Sequence, residues 1–296
     1  MTDRAFGAVT VLTGADRGRY PSGNSLLVAG PEQRVLIDPS LAVHERGGSP
    51  EPVDLVLLSH AHEDHLAGLH LFPDVPVLAH PGDVERVRST DALLDGYGLD
   101  PEAAAVFARE LVDDFHIAGR PDAGTFTDGA CFDLGGGRTV TVLHLPGHTA
   151  GHCGLLVEPE GFFFLGDIDL SAFGPYYGDT SSSLEDFAAS MARCREVDAR
   201  WFATFHHKGV VEGRAKFLAE LDAFETVVRR RDEAMLGFLA EPRSLAEMVA
   251  HRFVYRPHVD LPFVAAVERR TAELHLGRLL ARGQVEATDD GRYCTT

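Results

Sequence analysis

The sequence places four side chains able to bind metal ions within six residues. The segment SHAHEDHLAGL carries His60, His62, Asp64 and His65 directly after an apolar run of strand length. A tight turn at the end of a buried strand can aim side chains at these spacings toward one volume. Imidazole and carboxylate are common ligands of zinc and similar divalent metals. The segment therefore predicts a metal site in which His60 and His62 hold one ion and Asp64 and His65 a second.

Two further turns supply candidate ligands. In HLPGHTAGH, a Pro-Gly pair bends the chain just before His148. In FFFLGDIDL, Asp167 follows an apolar run and a glycine, which allows close approach of backbone and ligand. A carboxylate at that point can bridge two cations through its two oxygens. We interpret three flanking polar residues as supporting side chains rather than ligands: His144, His152 and Asp169.

A fourth run, WFATFHHKG, ends in the adjacent histidines His206 and His207. Neighbouring residues of a strand face opposite sides of the sheet, so one of the two should reach the site. The residues alone leave open which one does.

These motifs, in this order, resemble the metallo-β-lactamase superfamily over about residues 20 to 215. The resemblance implies an αββα sandwich with the metals in a cleft at one edge. It implies that His60, His62 and His148 bind one metal. It also implies that Asp64, His65 and the late histidine bind the other, and that Asp167 bridges them.

The last motif departs from the pattern of the family. Many relatives carry Pro-Gly-His-Gly there, whereas this chain has Phe205-His206-His207-Lys208. Aligning the following GVVEG with the usual continuation puts His207 in the ligand position, with His206 as the alternative. The resemblance implies two divalent ions, zinc first, with iron and manganese as alternatives.

The distribution of apolar runs predicts the architecture. Across the first two-thirds of the chain, short runs such as VDLVLL and TVTVL are apolar throughout, which is typical of strands covered on both faces. From about Gly213 the pattern becomes helical, with Ser244 and Glu247 as a capping box and a DDG turn that predicts a terminal hairpin. We therefore expect a catalytic domain over 1–222 and a small helical, winged-helix-like domain over 223–296.

The C-terminal layout resembles the small domain of a superfamily branch that includes a single-strand-specific endoribonuclease. Taken as a whole, the chain is similar to the glyoxalase II-like or lactamase-B-2-like branch. The formal net charge of −18 nevertheless disfavours a nucleic-acid partner, because such binding relies on Lys and Arg neutralising phosphates. The four cysteines are scattered, so they predict neither a cysteine zinc site nor a disulfide framework.

Composition limits the cellular setting. Hydrophobic residues make up 45% and charged residues 24% of the 296 residues, as in an ordinary globular protein. No apolar run approaches the roughly 20 residues of a membrane span, and the first residues do not read as an export signal. We therefore expect a cytoplasmic protein without a membrane partner.

The chemistry implied is hydrolysis. Two divalent ions that share a water lower its pKa from 15.7 toward about 7 and so generate a hydroxide nucleophile. Asp64 is the candidate catalytic residue, which orients that hydroxide or takes its proton. We expect a small ester, thioester or lactone as substrate, with Phe173, Tyr176 and Tyr177 at the entrance and the C-terminal helices closing the cleft or forming a homodimer contact. The alternatives are an endoribonuclease acting on single-stranded RNA and a persulfide dioxygenase with one iron.

Overall fold

Two β-sheets form the centre of the protein, whose computed structural model describes residues 2–296. The first sheet is ordered as in the chain, from β1 to β7: Arg4–Phe6, Val9–Leu12, Ser25–Ala29, Arg34–Ile37, Leu55–Leu57, Val77–Ala79 and Gly124–Thr125. The second sheet runs from β8 at one edge to β13 at the other: Cys131–Asp133, Thr139–His144, Cys153–Glu158, Phe162–Phe164, Trp201–Ala203 and Val210–Glu212.

Helices cover the outer faces of both sheets. In chain order, the helices α1 to α9 are Leu41–Glu45, Glu63–Leu66, Val84–Arg88, Thr90–Gly96, Pro101–Asp113, Leu184–Glu196, Arg214–Phe238, Leu245–His251 and Val264–Ala281. A terminal hairpin, β14 and β15, spans Val285–Ala287 and Tyr293–Thr295. Within residues 2–296, no helix combines the length and apolar character that crossing a membrane requires.

The continuous apolar runs are explained by burial on both faces. In β4, Val35 and Ile37 pack into the core between the two sheets, whereas Leu36 packs toward the helices of the first sheet. In β11, Phe162 belongs to the core between the sheets and Phe163 to the core beneath α6 and α7. Alternate residues of one strand therefore serve two different apolar cores. The predicted αββα arrangement is confirmed.

Strand direction places the candidate ligands at one edge. Strands β4, β5 and β6 are parallel neighbours, as are β11 and β12. The carboxyl ends of parallel strands meet at the same edge of a sheet. His60 follows β5 there, Asp167 follows β11, and His206 follows β12.

The C-terminal segment is joined to the sandwich without a linker. Helix α7 runs unbroken through the boundary expected at 222/223. Its first half packs beneath the second sheet through Phe217 and Phe224, and its second half joins α8 and α9 around Met235 and Met248. The capping box at Ser244 and the terminal hairpin are confirmed. The division into two domains stays a prediction.

One buried carboxylate organises the connection between α8 and α9. Glu268 is buried on α9, and its oxygens accept hydrogen bonds from the backbone N–H groups of Phe253 (2.7 Å), Val254 (3.0 Å) and Tyr255 (2.7 Å). These amides lie beyond the end of α8, so no helix satisfies them. The carboxylate therefore fixes the path of the chain that carries Tyr255.

We expect Glu268→Ala to lower the free energy of unfolding by about 2 to 4 kcal/mol, because partly buried amides lose a charged acceptor. Glu268→Gln should cost less, because the amide oxygen still accepts. Glu273→Ala, an exposed change on the same helix, is the matched control and should shift stability by less than about 0.5 kcal/mol. Urea unfolding would measure all three; a loss for Glu268→Ala no larger than for Glu273→Ala would contradict this role.

Candidate metal centre

Three imidazole nitrogens converge at the edge of the sandwich. The pairs formed by His60 Nε2, His62 Nδ1 and His148 Nε2 are each separated by 3.1 Å. Zinc bound tetrahedrally at about 2.0 to 2.1 Å separates its ligand atoms by about 3.3 Å. The triangle therefore has nearly the dimensions of three ligands on one metal ion.

A second group lies beside the first. Asp64 Oδ2 is 3.0 Å from His206 Nε2, and Asp64 Oδ1 is 3.9 Å from His65 Nε2. Asp167 contacts both groups: its Oδ1 lies 3.1 Å from His65 Nε2 and its Oδ2 lies 3.4 Å from His148 Nε2. Each group could hold one ion, and Asp167 stands between them.

Buried atoms in this centre lack hydrogen-bond partners. Across residues 2–296, Asp64 Oδ2, His65 Nε2 and Asp167 Oδ1 are buried without one, although neighbouring atoms lie 3.0 to 3.1 Å away. Buried polar atoms are normally satisfied, so such orphans require an explanation. Lone pairs directed at a shared volume rather than at each other are the arrangement that a cation requires. The residues fit a metal site.

The second nitrogen of each histidine is held by the surrounding structure. Such outer contacts fix the ring orientation and the tautomer of a metal-binding histidine. The contacts are His60 Nδ1 with Ser59 Oγ (3.1 Å), His62 Nε2 with Asp179 Oδ2 (3.0 Å), His65 Nδ1 with Asp38 Oδ2 (2.8 Å), His148 Nδ1 with the Tyr176 carbonyl (2.9 Å) and His206 Nδ1 with the Gly18 carbonyl (2.6 Å).

Sequence reasoning missed three aspartates that support this centre. Asp38 contacts His65 and accepts hydrogen bonds from Ser59 N (2.7 Å) and Ser59 Oγ (2.5 Å). It follows β4 just as His60 follows the parallel β5, so its position at a strand end was the available signal.

Asp83 joins the first two ligand turns. It accepts hydrogen bonds from Ala61 N (3.2 Å) in the first turn, and from Thr149 Oγ1 (2.6 Å) and Gly151 N (2.9 Å) in the second. One buried carboxylate therefore connects the turn that carries His60 and His62 with the turn that carries His148.

Asp179 anchors His62. The buried carboxylate also accepts a hydrogen bond from Arg86, whose other terminal nitrogen donates to Ser181 Oγ at 3.0 Å. Burial alone would raise the pKa of Asp179, but His62 and Arg86 outweigh burial and lower it to about 2. The ionised carboxylate keeps the N–H of His62 on Nε2 and leaves Nδ1 for the centre. No motif in the sequence marks Asp179.

Charge within the centre separates its two halves. Burial and the neighbouring imidazoles hold the pKa of His60 well below its usual value, and burial lowers the pKa of His148 to about 3. Burial also lowers the pKa of His206, but Asp167 and Asp64 outweigh it and raise that pKa to about 9. His60 and His148 are thus neutral donors, whereas on the Asp64 side the carboxylates of Asp64 and Asp167 face imidazole groups whose pKa values they raise.

His152, one of the three residues interpreted as supporting side chains, lies behind Asp167. His152 Nδ1 contacts the Leu145 carbonyl at 2.9 Å, and its Nε2 accepts a hydrogen bond from Asp167 N at 3.1 Å. Gly166 has a φ of +53°, and a Cβ there would lie 2.6 Å from His152 Nε2. The glycine before Asp167 is therefore required by close packing against this imidazole.

The structure places His206 at the centre, where the sequence favoured His207. Past β12 the chain forms a tight turn in which Thr204 N donates to the Gly209 carbonyl, and Phe205 stacks on His65 with ring centroids 3.5 Å apart. His207 lies at the tip of this turn with a φ of +56° and is half-buried. The alignment was wrong here because a turn, not a continued strand, sets which histidine points inward.

Aromatic side chains wall the centre, although not all of those expected. The ring of Tyr176 lies 5.4 Å from that of His148, and the ring of Tyr20 lies 6.5 Å from that of His206 and 6.0 Å from that of Phe263. Tyr177, expected at the entrance, is instead fully buried. The wall includes Phe263 from the C-terminal segment.

The C-terminal helices hold the loop that supports His148. Arg231 on α7 donates to the carbonyls of Phe173 (2.8 Å) and Pro175 (2.6 Å) and to Tyr177 Oη (2.8 Å). The next carbonyl along this loop, that of Tyr176, contacts His148 Nδ1. The C-terminal segment therefore reaches the centre through the backbone of this loop.

Comparison with known proteins agrees with this geometry. A family model described as the Metallo-beta-lactamase superfamily matches residues 19–223. The atrochrysone carboxyl ACP thioesterase of Pseudocercospora fijiensis is 25% identical over 286 residues, which cover 91% of this chain and 70% of that protein. The acyl-coenzyme A thioesterase MBLAC2 of Homo sapiens is 27% identical over 208 residues, which cover 60% of this chain and 70% of that protein.

Among solved structures, a metallo-beta-lactamase family protein from Thermus thermophilus shares the fold across 98% of this chain and 99% of that one, with a TM-score of 0.71 and 23% identity. The family match spans more than half of the sequence and includes every ligand candidate in both groups. The chain therefore belongs to the metallo-β-lactamase superfamily.

Proposed function

We propose that this protein is a dinuclear metal-dependent hydrolase that cleaves thioesters. The observation that carries the proposal is the pair of buried ligand groups that share Asp167. In this proposal His60, His62 and His148 hold one ion, Asp64, His65 and His206 hold the other, and Asp167 binds both. Bound there, two divalent ions would polarise the substrate carbonyl. They would also lower the pKa of water enough to supply a hydroxide nucleophile at neutral pH.

The residues around the centre orient the ligand side chains and limit the access of water. The contacts from Asp38 and Asp179 keep His65 and His62 pointed inward, which holds the reacting geometry in place. The ring of Tyr176 lies beside His148 and that of Tyr20 beside His206, so both would limit the access of water to the centre. Asp64 is the candidate proton acceptor, because its buried carboxylate lies among the ligand atoms of the second group. Burial raises the pKa of Asp64, but His65 and His206 outweigh burial and lower it, so the carboxylate is ionised, which is the form that can accept a proton.

The choice of a thioester as the substrate class rests on the names of two similar proteins. Both of the curated relatives described above are named thioesterases, one acting on an acyl carrier protein and the other on acyl-coenzyme A. The aromatic side chains around the centre suit an apolar acyl group. A thioester is therefore favoured over the simple esters and lactones that the same centre could hydrolyse.

The ribonuclease alternative loses support. It needs a basic surface, and the basic clusters of the C-terminal segment are Arg229–Arg231 and Arg269–Arg270. Arg231 is buried and donates to backbone carbonyls, and Arg270 donates to the Ser182 carbonyl at 2.8 Å. Two of these arginines thus serve the fold rather than a phosphate backbone. A persulfide dioxygenase with one iron would use only two histidines and one aspartate of these ligands. The buried residues of the second ligand group would then have no role in metal binding.

Metal content tests the centre. We expect about two ions per chain in the wild-type protein purified without chelators, since two-metal sites of this kind hold a pair. His206→Ala should lose about one of them, because it removes a ligand from one group. His207→Ala, the adjacent control, should keep both. Mass spectrometry would measure the ratio, and a result of one iron per chain in the wild type would favour the dioxygenase.

Activity tests the substrate class. An acyl-coenzyme A panel of increasing chain length, with matched oxygen esters and lactones as comparison, should give the highest kcat/KM with a thioester. Single-stranded RNA should be left intact. Faster cleavage of every lactone than of every thioester would overturn the assignment.

Asp64→Ala should reduce kcat by at least about 100-fold, the range expected for loss of a proton-accepting group. Asp64→Asn, which keeps the shape but not the charge, separates the proton role from metal binding. If Asp64→Asn binds two ions yet turns over slowly, the carboxylate acts as a base. A variant that retains most of its activity would refute that role.

A further inference from the structure

An open cleft of about 540 Å³ lies beside the metal centre, and none of the residues that line it belongs to either ligand group. Asp16, Arg17, Arg19 and His207 line this cleft. The Gly18 carbonyl, between the two arginines, accepts from His206 Nδ1 at 2.6 Å, while His206 Nε2 lies 3.0 Å from Asp64. The imidazole ring of His206, itself a candidate ligand, therefore connects the arginine loop to the metal centre.

The loop is built to keep its shape. Asn24 Nδ2 donates to the Arg17 carbonyl at 3.1 Å, and Gly18 N donates to the Ala15 carbonyl at 2.8 Å. Gly18 has a φ of +78°, and a Cβ there would lie 2.4 Å from Asn24 Nδ2. Its buried backbone thus holds two exposed arginines on either side of one fixed glycine.

These two arginines differ from many others in the chain. Arg86, Arg120 and Arg195 each pair with an aspartate. Among residues 2–296, neither Arg17 nor Arg19 has a carboxylate within 4.0 Å. In a protein with a net charge of −18, two unpaired guanidinium groups beside the centre form a local positive field. Asp16 opposes that field without cancelling it.

We propose that Arg17 and Arg19 form an anion-binding subsite that selects thioesters carrying a phosphate or carboxylate group. Guanidinium groups match both anions through paired, charge-assisted hydrogen bonds. The anion belongs to the carrier, as in coenzyme A, or to the acyl group, as in a dicarboxylic acid. The proposal rests on the proposed thioesterase function for its substrate, but anion binding can be measured without turnover.

The binding test uses stable thioethers and metal-loaded protein. The probes are S-methyl coenzyme A, a neutral S-methyl N-acetylcysteamine and a carboxylate-bearing thioether of N-acetylcysteamine. In calorimetry, the Arg17→Gln/Arg19→Gln double variant should bind at least one anionic probe about tenfold more weakly than wild type, the effect of losing a charged hydrogen bond. Its affinity for the neutral probe should not change.

Two matched variants control for charge and position. Asp16→Asn removes the opposing charge and should tighten binding of the same anionic probe. Arg109→Gln, at an exposed site on α5, removes a positive charge elsewhere and should have no effect. A loss confined to S-methyl coenzyme A assigns the anion to the carrier, and a loss confined to the carboxylate probe assigns it to the acyl group.

Kinetics with the corresponding thioesters completes the test. The double variant should raise KM for the charged thioester about tenfold and leave kcat nearly unchanged, since the arginines do not touch the reacting carbon. Equal affinity of the wild type and the double variant for both anionic probes would overturn the subsite. Absence of any thioester turnover in the wild type, with anion binding intact, would overturn the thioesterase function and leave the anion subsite standing.

Discussion

The centre of this protein concentrates imidazole nitrogens and carboxylate oxygens whose lone pairs are directed at a shared volume inside the fold. Such an arrangement is unfavourable by itself, because buried polar atoms without partners lose the hydrogen bonds they would make with water. The ligand groups cannot relax toward each other, because the second ring nitrogen of each ligand histidine contacts another group of the protein. Asp38, Asp83 and Asp179 provide much of that restraint. The rest of the structure serves to keep these atoms in place.

The sandwich provides this rigidity through its shared edge. Strands β4, β5 and β6 in one sheet and β11 and β12 in the other are parallel, so their carboxyl ends present turns side by side. The core between the sheets and the cores under the helices fix these ends. Asp83 then links turns that come from different sheets. A change in the spacing between the two sheets would therefore change the distances between the ligand atoms.

The C-terminal segment forms part of this support rather than an appendage. Arg231 holds the loop that carries the Tyr176 carbonyl, and Phe263 adds to the aromatic wall. The loop around Gly18 holds His206 and also carries Tyr20 of the aromatic wall. Aromatic and basic side chains therefore both lie around the cleft. That combination is physically suited to a substrate with an apolar end and a charged end.

The sequence by itself determined the sandwich and most of the candidate ligands. Apolar runs predicted the strands, and His60, His62, Asp64, His65, His148 and Asp167 come together because local turns directly after strands position them. Only the tertiary structure decided between His206 and His207, since the turn depends on Phe205 stacking against His65 from a distant part of the chain. Asp83, Asp179 and the arginine loop were hidden for the same reason: their partners at the centre are remote in sequence, and no local pattern records a long-range contact.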